Sequence, residues 1–280
     1  MRLLVGLDER DGGRDALELA RVLGNGERVS ALLVTVLYAG AIPIDYAIPP
    51  EEVPGEVGTL FDEARQKLSG IEVETQAYEG GSPAGILTRI AENEDFDAIV
   101  IGSPHRGALG QVMIGSVANS LLNGAPADVA VAPRGYADAE HAAPRTIAVG
   151  YDGSPESRAA LRHAEAIAHR SSAKLVILTT VRPAVAPPMM VPAIAAPQSP
   201  PEPEAMLREA LESVDSVLPA ECARLDGDPA MELVRACEEG VDLLVVGSRG
   251  YGPLKRVLLG SVSRQVAQKA SCPVLVAKRP

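Results

Sequence analysis

The sequence predicts an α/β protein of two tandem doubly wound domains, and three observations lead there. The chain repeats itself: "LLVGLD" (Leu3–Asp8) returns as "IAVGYD" (Ile147–Asp152), and "DAIVIGS" (Asp97–Ser103) returns as "DLLVVGS" (Asp242–Ser248). "GSPAGIL" (Gly81–Leu87) and "ADVAVAPR" (Ala127–Arg134) likewise return as "GDPAMEL" (Gly227–Leu233) and "CPVLVAKR" (Cys272–Arg279). The apolar runs are short, continuous and rich in Val, Ile and Leu, as strands buried on both faces are. Segments with helical spacing alternate with them, which implies βαβ crossovers and a parallel sheet. Right-handed crossovers make each unit Rossmann-like, with ligands expected outside the carboxyl ends of the strands.

The units run over residues 1–140 and 145–280, joined near "GYADAEHAAP". In the second unit we expect strands at 146–151, 174–181, 221–225, 242–246 and 273–277, with helices near 155–170, 204–218, 229–239 and 261–270. Ser154-Pro155 and Asp228-Pro229 each offer a side-chain acceptor at N-cap and proline at the first helical position, as Ser82-Pro83 does in the first unit. The connection after the second strand holds eight prolines between Arg182 and Glu204. It reads as an extended spacer, or as a lid or docking arm built on Met189, Met190, Val191 and Ile194.

Composition bounds the function. The 280 residues contain no tryptophan and only 3% aromatics, so small aliphatic side chains must build the core. The net charge of −11 argues against a general affinity for nucleic acid or anionic membrane. Residues 1–140 hold 10 basic and 22 acidic side chains, and residues 141–280 hold 16 and 15, so an anion meets less repulsion in the second unit. Apolar runs are far shorter than the roughly 20 residues of a membrane span. The first run is cut by Asp8 and Glu9, unlike a signal peptide. Cys222, Cys237 and Cys272 lack metal-ligand spacing and read as thiols of a reduced compartment, the cytoplasm.

The chemistry concentrates in "GSRGYGPLKRVLLGSV" (Gly247–Val262), whose ends and length match "GSPHRGALGQVMIGSV" (Gly102–Val117). Gly247 can take a positive φ at the strand end, and Gly250 lets the backbone pass close to a bulky anion. Successive amides in such a loop form an anion-binding nest. Gly260-Ser261 then opens a helix, with Ser261 expected at N-cap and first-turn N–H groups at the positive end of the dipole. Arg249, Lys255 and Arg256 add charge. This suits a chain of phosphates, and it is neither a Walker A loop nor Gly-x-Gly-x-x-Gly. The first unit departs from it: Pro104-His105 stands where the second unit has Arg249-Gly250, which removes one amide and adds a ring, and Glu9 and Asp11 bring negative charge.

The spacing Gly-x-x-Gly, nine residues, Gly-Ser, together with the opening "AVGYDGSPES", resembles the ATP-binding motif of the universal stress protein family. The resemblance covers essentially the whole chain as two tandem domains. It implies a five-stranded parallel sheet of order 3-2-1-4-5 with flanking helices in each, and ATP, with Mg²⁺ as its companion ion, over the strand ends. It assigns Asp152 to the adenosine and Val181 and Val246 to the base. Gly247, Gly250, Gly260, Ser261 and Val262 go to ribose and phosphates, and Gly150 and Arg249 join the same contact set. The first unit's set is Asp8, Val36, Gly102, Gly115, Ser116 and Val117, and its degenerate loop points to one ATP per chain, bound by the second unit. Family dimers associate through the last strand. Val129–Ala132 is therefore expected antiparallel to Val274–Ala277, giving a pseudo-twofold monomer and leaving a homodimer open.

His105, His141, His163 and His169 are scattered, and no nucleophile–base pair, metal cluster or carboxylate pair stands out. The expectation is a binder without catalytic or metal residues, acting in stress response or signalling through nucleotide-dependent contacts with an unidentified protein partner. A nucleotide-independent scaffold and a weak ATPase are the alternatives.

Overall fold

The computed structural model describes residues 1–8, 11–24, 29–37, 45–104, 109–182, 202–248, 257 and 259–279. The first unit runs β1 (Arg2–Leu7), α1 (Asp11–Leu23), β2 (Ser30–Leu37), β3 (Tyr46–Ile48), α2 (Gly55–Lys67), β4 (Glu72–Glu79), α3 (Pro83–Asn93), β5 (Ala98–Gly102), α4 (Ser116–Leu121) and β6 (Asp128–Ala132). The second runs β7 (Thr146–Gly150), α5 (Pro155–Ser171), β8 (Lys174–Val181), α6 (Pro203–Glu212), β9 (Ala220–Asp226), α7 (Pro229–Glu238), β10 (Leu243–Gly247), α8 (Ser261–Lys269) and β11 (Val274–Ala277).

All of these strands form one eleven-stranded sheet, ordered β3-β4-β2-β1-β5-β6-β11-β10-β7-β8-β9. Each unit shows the order 3-2-1-4-5 in its parallel strands. The first unit adds a sixth, the antiparallel edge strand β3 on β4, which five strands per unit did not allow for. Ile48 is buried there and Tyr46 Oη bonds Glu79. The two halves join where β6 and β11 pair antiparallel, with Val131 opposite Val274, Ala130 opposite Leu275 and Val129 opposite Val276. The expected strand pairing is thus observed, and neither last strand remains an edge.

The strands sit in the middle because both their faces are apolar. One face carries a layer built from α1, α2, α5 and α6, and the other a layer from α3, α4, α7 and α8. Each layer's core includes residues of both units. Helix starts behave as their sequences demand: Ser82 accepts from Gly85 N, Ser154 from Ser157 N, and Asp228 from Ala230 N, each at 3.1 Å. Helix α6 is shorter than expected. It stops at Glu212, and Ser213 N–H donates back to the Glu209 and Ala210 carbonyls. Asp215 then turns the chain, its N–H donating to Glu165 at 2.8 Å and its carboxylate accepting from Val217 N at 3.0 Å. Most of the proline-rich connection, residues 183–201, lies outside the described residues.

The segment joining the units is anchored on α1. Asp15 is buried and accepts from Gly135 N at 2.9 Å and Ala137 N at 2.8 Å, while Tyr136 and His141 stack with centroids 3.8 Å apart.

Candidate functional site

In each unit the ends of the first and fourth strands and the start of the last helix come to one edge of the sheet. In the first unit they surround a cavity of about 260 Å³. Asp8 follows β1, Val36 lies near the end of β2, Gly102 ends β5, and Gly115, Ser116 and Val117 open α4; all six line the cavity.

Glycine is required here by close approach of backbones. A Cβ on Gly102 would lie 2.0 Å from the Gly12 carbonyl oxygen, and one on Gly247 would lie 2.9 Å from the Glu156 carbonyl. Neither glycine takes a positive φ, so the expected left-handed strand end at Gly247 is not observed. The strand end instead receives the first turn of the helix after strand one directly on its backbone. Gly13 completes the contact: its N–H donates to Asp8 Oδ1 at 2.8 Å, and a Cβ there would meet the Asp8 carbonyl at 2.2 Å. In the second unit Asp152 closes the corresponding turn by accepting from Ser154 N at 3.0 Å.

Helix α8 begins one residue earlier than the expected N-cap at Ser261 allowed, and α4 begins in the same way. Gly260 and Gly115 are the N-caps, at φ −75° and −80°, and Ser261 and Ser116 are the first helical residues. A glycine cap has no side chain to accept from the first turn, and no side-chain cap is formed in either helix. The positive ends of α4 and α8 therefore keep amide donors for something else. In the first unit the Pro104 ring packs against Gly115, 3.3 Å from where a Cβ would stand, and narrows the gap between strand end and helix.

In the second unit, Gly150 ends β7, Val181 ends β8, and the buried Val246 precedes Gly247 at the end of β10. A Cβ on Gly150 would touch Val246 at 3.5 Å and Leu233 at 3.1 Å, so the two sequence-assigned residues are neighbours. Gly260, Ser261 and Val262 open α8. Arg249, Gly250, Lys255, Arg256 and, in the first unit, His105 lie outside the described residues.

Sequence reasoning missed several supports. Ser263 Oγ donates to the Gly247 carbonyl at 2.7 Å, pinning α8 onto the strand end; the first unit has Ala118 there. Ser103 Oγ donates to the Ala132 carbonyl at 2.7 Å and accepts from Met113 N at 2.9 Å, so it braces the first unit's loop. Its counterpart Ser248 is buried, and its hydroxyl has no partner among the described residues. The repeated "Gly-Ser" was the visible signal for both serines.

The model of the universal stress protein family matches residues 1–133 and again residues 144–278. A universal stress protein of Mycolicibacterium smegmatis is 33% identical over 193 residues, covering 68% of this chain and 65% of its own. One of Mycobacterium tuberculosis (strain H37Rv) is 34% identical over 207 residues, covering 69% and 66%. The chain thus spans just under two thirds of the length of these curated relatives. Among solved structures, a universal stress protein from Archaeoglobus fulgidus superposes over 99% of this chain and 96% of its own, with a TM-score of 0.68 at 20% identity, a likeness of fold. Two matches of one family model, one on each half of the repeat, settle the family: the chain belongs to the universal stress protein family and carries two of its domains in tandem.

Proposed function

We propose that the chain binds one adenine nucleotide, ATP, at the strand ends of its second unit, and that the bound state changes its contacts with a protein partner in stress response or signalling. The observation that carries this reading is the uncapped start of α8 at Gly260, set beside the glycine end of β10. Helix N-termini with free amides attract phosphate through the donors themselves and through the dipole. Gly150 and Val246 give an apolar wall suited to the base, Val181 extends it at the end of β8, and Asp152 stands ready for the ribose side of the adenosine. Mg²⁺ would come with the triphosphate. Among the described residues no group of three or more His, Cys, Asp or Glu side chains could hold a metal of the protein's own.

The first unit offers the same frame, but the Pro104 ring lies against Gly115 within its cavity and Pro104 has no amide N–H to donate. Its excess of acidic side chains opposes a triphosphate as well. Among the described residues no helix is long and apolar enough to cross a membrane, and a cytoplasmic location goes with this reading.

The test is Mg-ATP titrated into the full chain, followed by melting temperature and calorimetry. A ligand bound only to the folded state adds RT ln(1 + [L]/Kd), about 2.7 kcal/mol at a hundredfold excess over Kd. We expect a raised melting temperature, a stoichiometry near one, and loss of both in Gly250→Val. An absent shift leaves a nucleotide-independent scaffold, and sustained phosphate release from ATP replaces the binder with a weak ATPase.

A further inference from the structure

A second cavity, of about 300 Å³, opens at the seam between the two units. Arg162, His163 and Arg170 on α5 and Lys278 just past β11 form one side, while Asp97 before β5 and Asp128 at the start of β6 come from the first unit. The two carboxylates are already engaged. Asp97 Oδ2 accepts from Arg2 N at 2.7 Å and lies 4.0 Å from the Met1 amine. Asp128 accepts from Lys278 N at 3.0 Å through Oδ1 and bonds His163 Nδ1 through Oδ2.

The cations are not so provided. Among the described residues, neither Arg162 nor the Lys278 ammonium forms an ion pair. Arg170 donates through Nη2 only to the Met1 sulfur, at 3.2 Å, a weak acceptor. Its Nε is buried with no hydrogen-bond partner. Burial disfavours its charge, and the field of Asp97 offsets this only in part. A buried guanidinium donor without an acceptor is costly and stays charged, so the site is organised for an acceptor that the chain does not supply.

The repeat sharpens the point. It maps Arg162 onto Glu18 and Asp97 onto Asp242. The slot beside Glu18 and Asp242 is filled by Tyr136, which is 9% exposed and whose phenol feels both carboxylates. One slot of the pseudo-symmetric pair thus holds carboxylates that already have partners and is plugged by the chain's own aromatic ring. The other is basic and open.

We propose that the seam cavity binds a small phosphate-class anion, between orthophosphate and pyrophosphate in size, through Arg162, Arg170 and Lys278. It is a site separate from the strand-end loops: the antiparallel seam puts Lys278 at the same sheet edge as Gly247, but no residue assigned to the nucleotide in either unit lines this cavity.

Inorganic pyrophosphate titrated calorimetrically into the full chain at fixed ionic strength tests this, with Arg162→Gln, Arg170→Gln and Gly250→Val in parallel. Arg162 is exposed, so its variant folds even if the Arg170 variant does not. We expect affinity to fall at least tenfold in Arg162→Gln and Arg170→Gln and to hold in Gly250→Val, with amide shifts in the wild type confined to residues near 162–170 and 278. No binding by the wild type overturns the proposal. So does binding that survives Arg162→Gln unchanged and vanishes in Gly250→Val, which would move the anion to the nucleotide loop.

Discussion

Val112 N–H donates to the Ala270 carbonyl at 2.8 Å, tying the loop before α4 in the first unit to the end of α8 in the second. The reverse bond exists as well: Val257 N–H donates to the Ala125 carbonyl at 2.8 Å. Both valines are fully buried. Each unit's loop is therefore held by the other unit, and the two amides should exchange with solvent about as slowly as those of β6. Exchange of either within minutes, with β6 still protected, would show that the loops open independently of the seam.

The seam itself can be broken at one residue. Val131 stands between β5 and β11, so proline there removes an N–H in the interior of an eleven-stranded sheet. Val131→Pro should cost more than about 1 kcal/mol and split urea unfolding into two transitions. A single transition at the wild-type midpoint would refute the view that β6–β11 pairing couples the units.

Three glycines separate close approach from mere flexibility. Gly102→Ala forces a Cβ onto the Gly12 carbonyl and should destabilise by about 3 kcal/mol or more; Gly247→Ala meets Glu156 less closely and should cost about 1–3 kcal/mol. Gly58, inside α2, has open space within 4 Å of where a Cβ would stand, and Gly58→Ala should gain roughly 0.5–1 kcal/mol. Urea denaturation of the three variants checks the ranking, and equal effects at all three positions would contradict it.

Glu18 supplies a pH dependence. Burial alone would raise its pKa, but hydrogen bonds and charge from Arg21 and Lys67 outweigh that and hold it at about 2, below the ordinary 4.5. A depressed carboxylate pKa stabilises the fold above its unfolded value and loses that contribution as pH falls from about 4.5 towards 2. Glu18→Gln should be less stable than wild type at pH 7, with the difference shrinking across that window. A constant difference down to pH 2 would mean that Glu18 acts through packing alone.

The repeat, the strands and the seam were legible because strands buried on both faces read as unbroken apolar runs, and because "DVAVAP" and "PVLVAK" carry no interior charge. Strand β3 was not, since three residues are too few for a period. Ser213, Asp215 and Pro219 marked the early end of α6, but helical spacing carried the expectation past them. In the site, the glycines were found and their reason was not: whether Gly247 serves a turn or a close approach depends on where α5 lands, which its own neighbours in sequence do not state. The cluster of Arg162, Arg170 and Lys278 was equally hidden, because its acceptor-free setting exists only once β6 lies beside β11.

Joining the sheet through its middle has a consequence for synthesis. β6 is buried at every residue in the finished chain, yet its partner β11 is made last. At about 5–20 residues per second, the ribosome needs on the order of ten seconds or more to deliver the second half. For that interval a completed first unit displays a bare apolar strand edge to every other nascent chain nearby. Linking both halves in one polypeptide ensures that a matching strand is already on its way, at a local concentration no separate subunit could match.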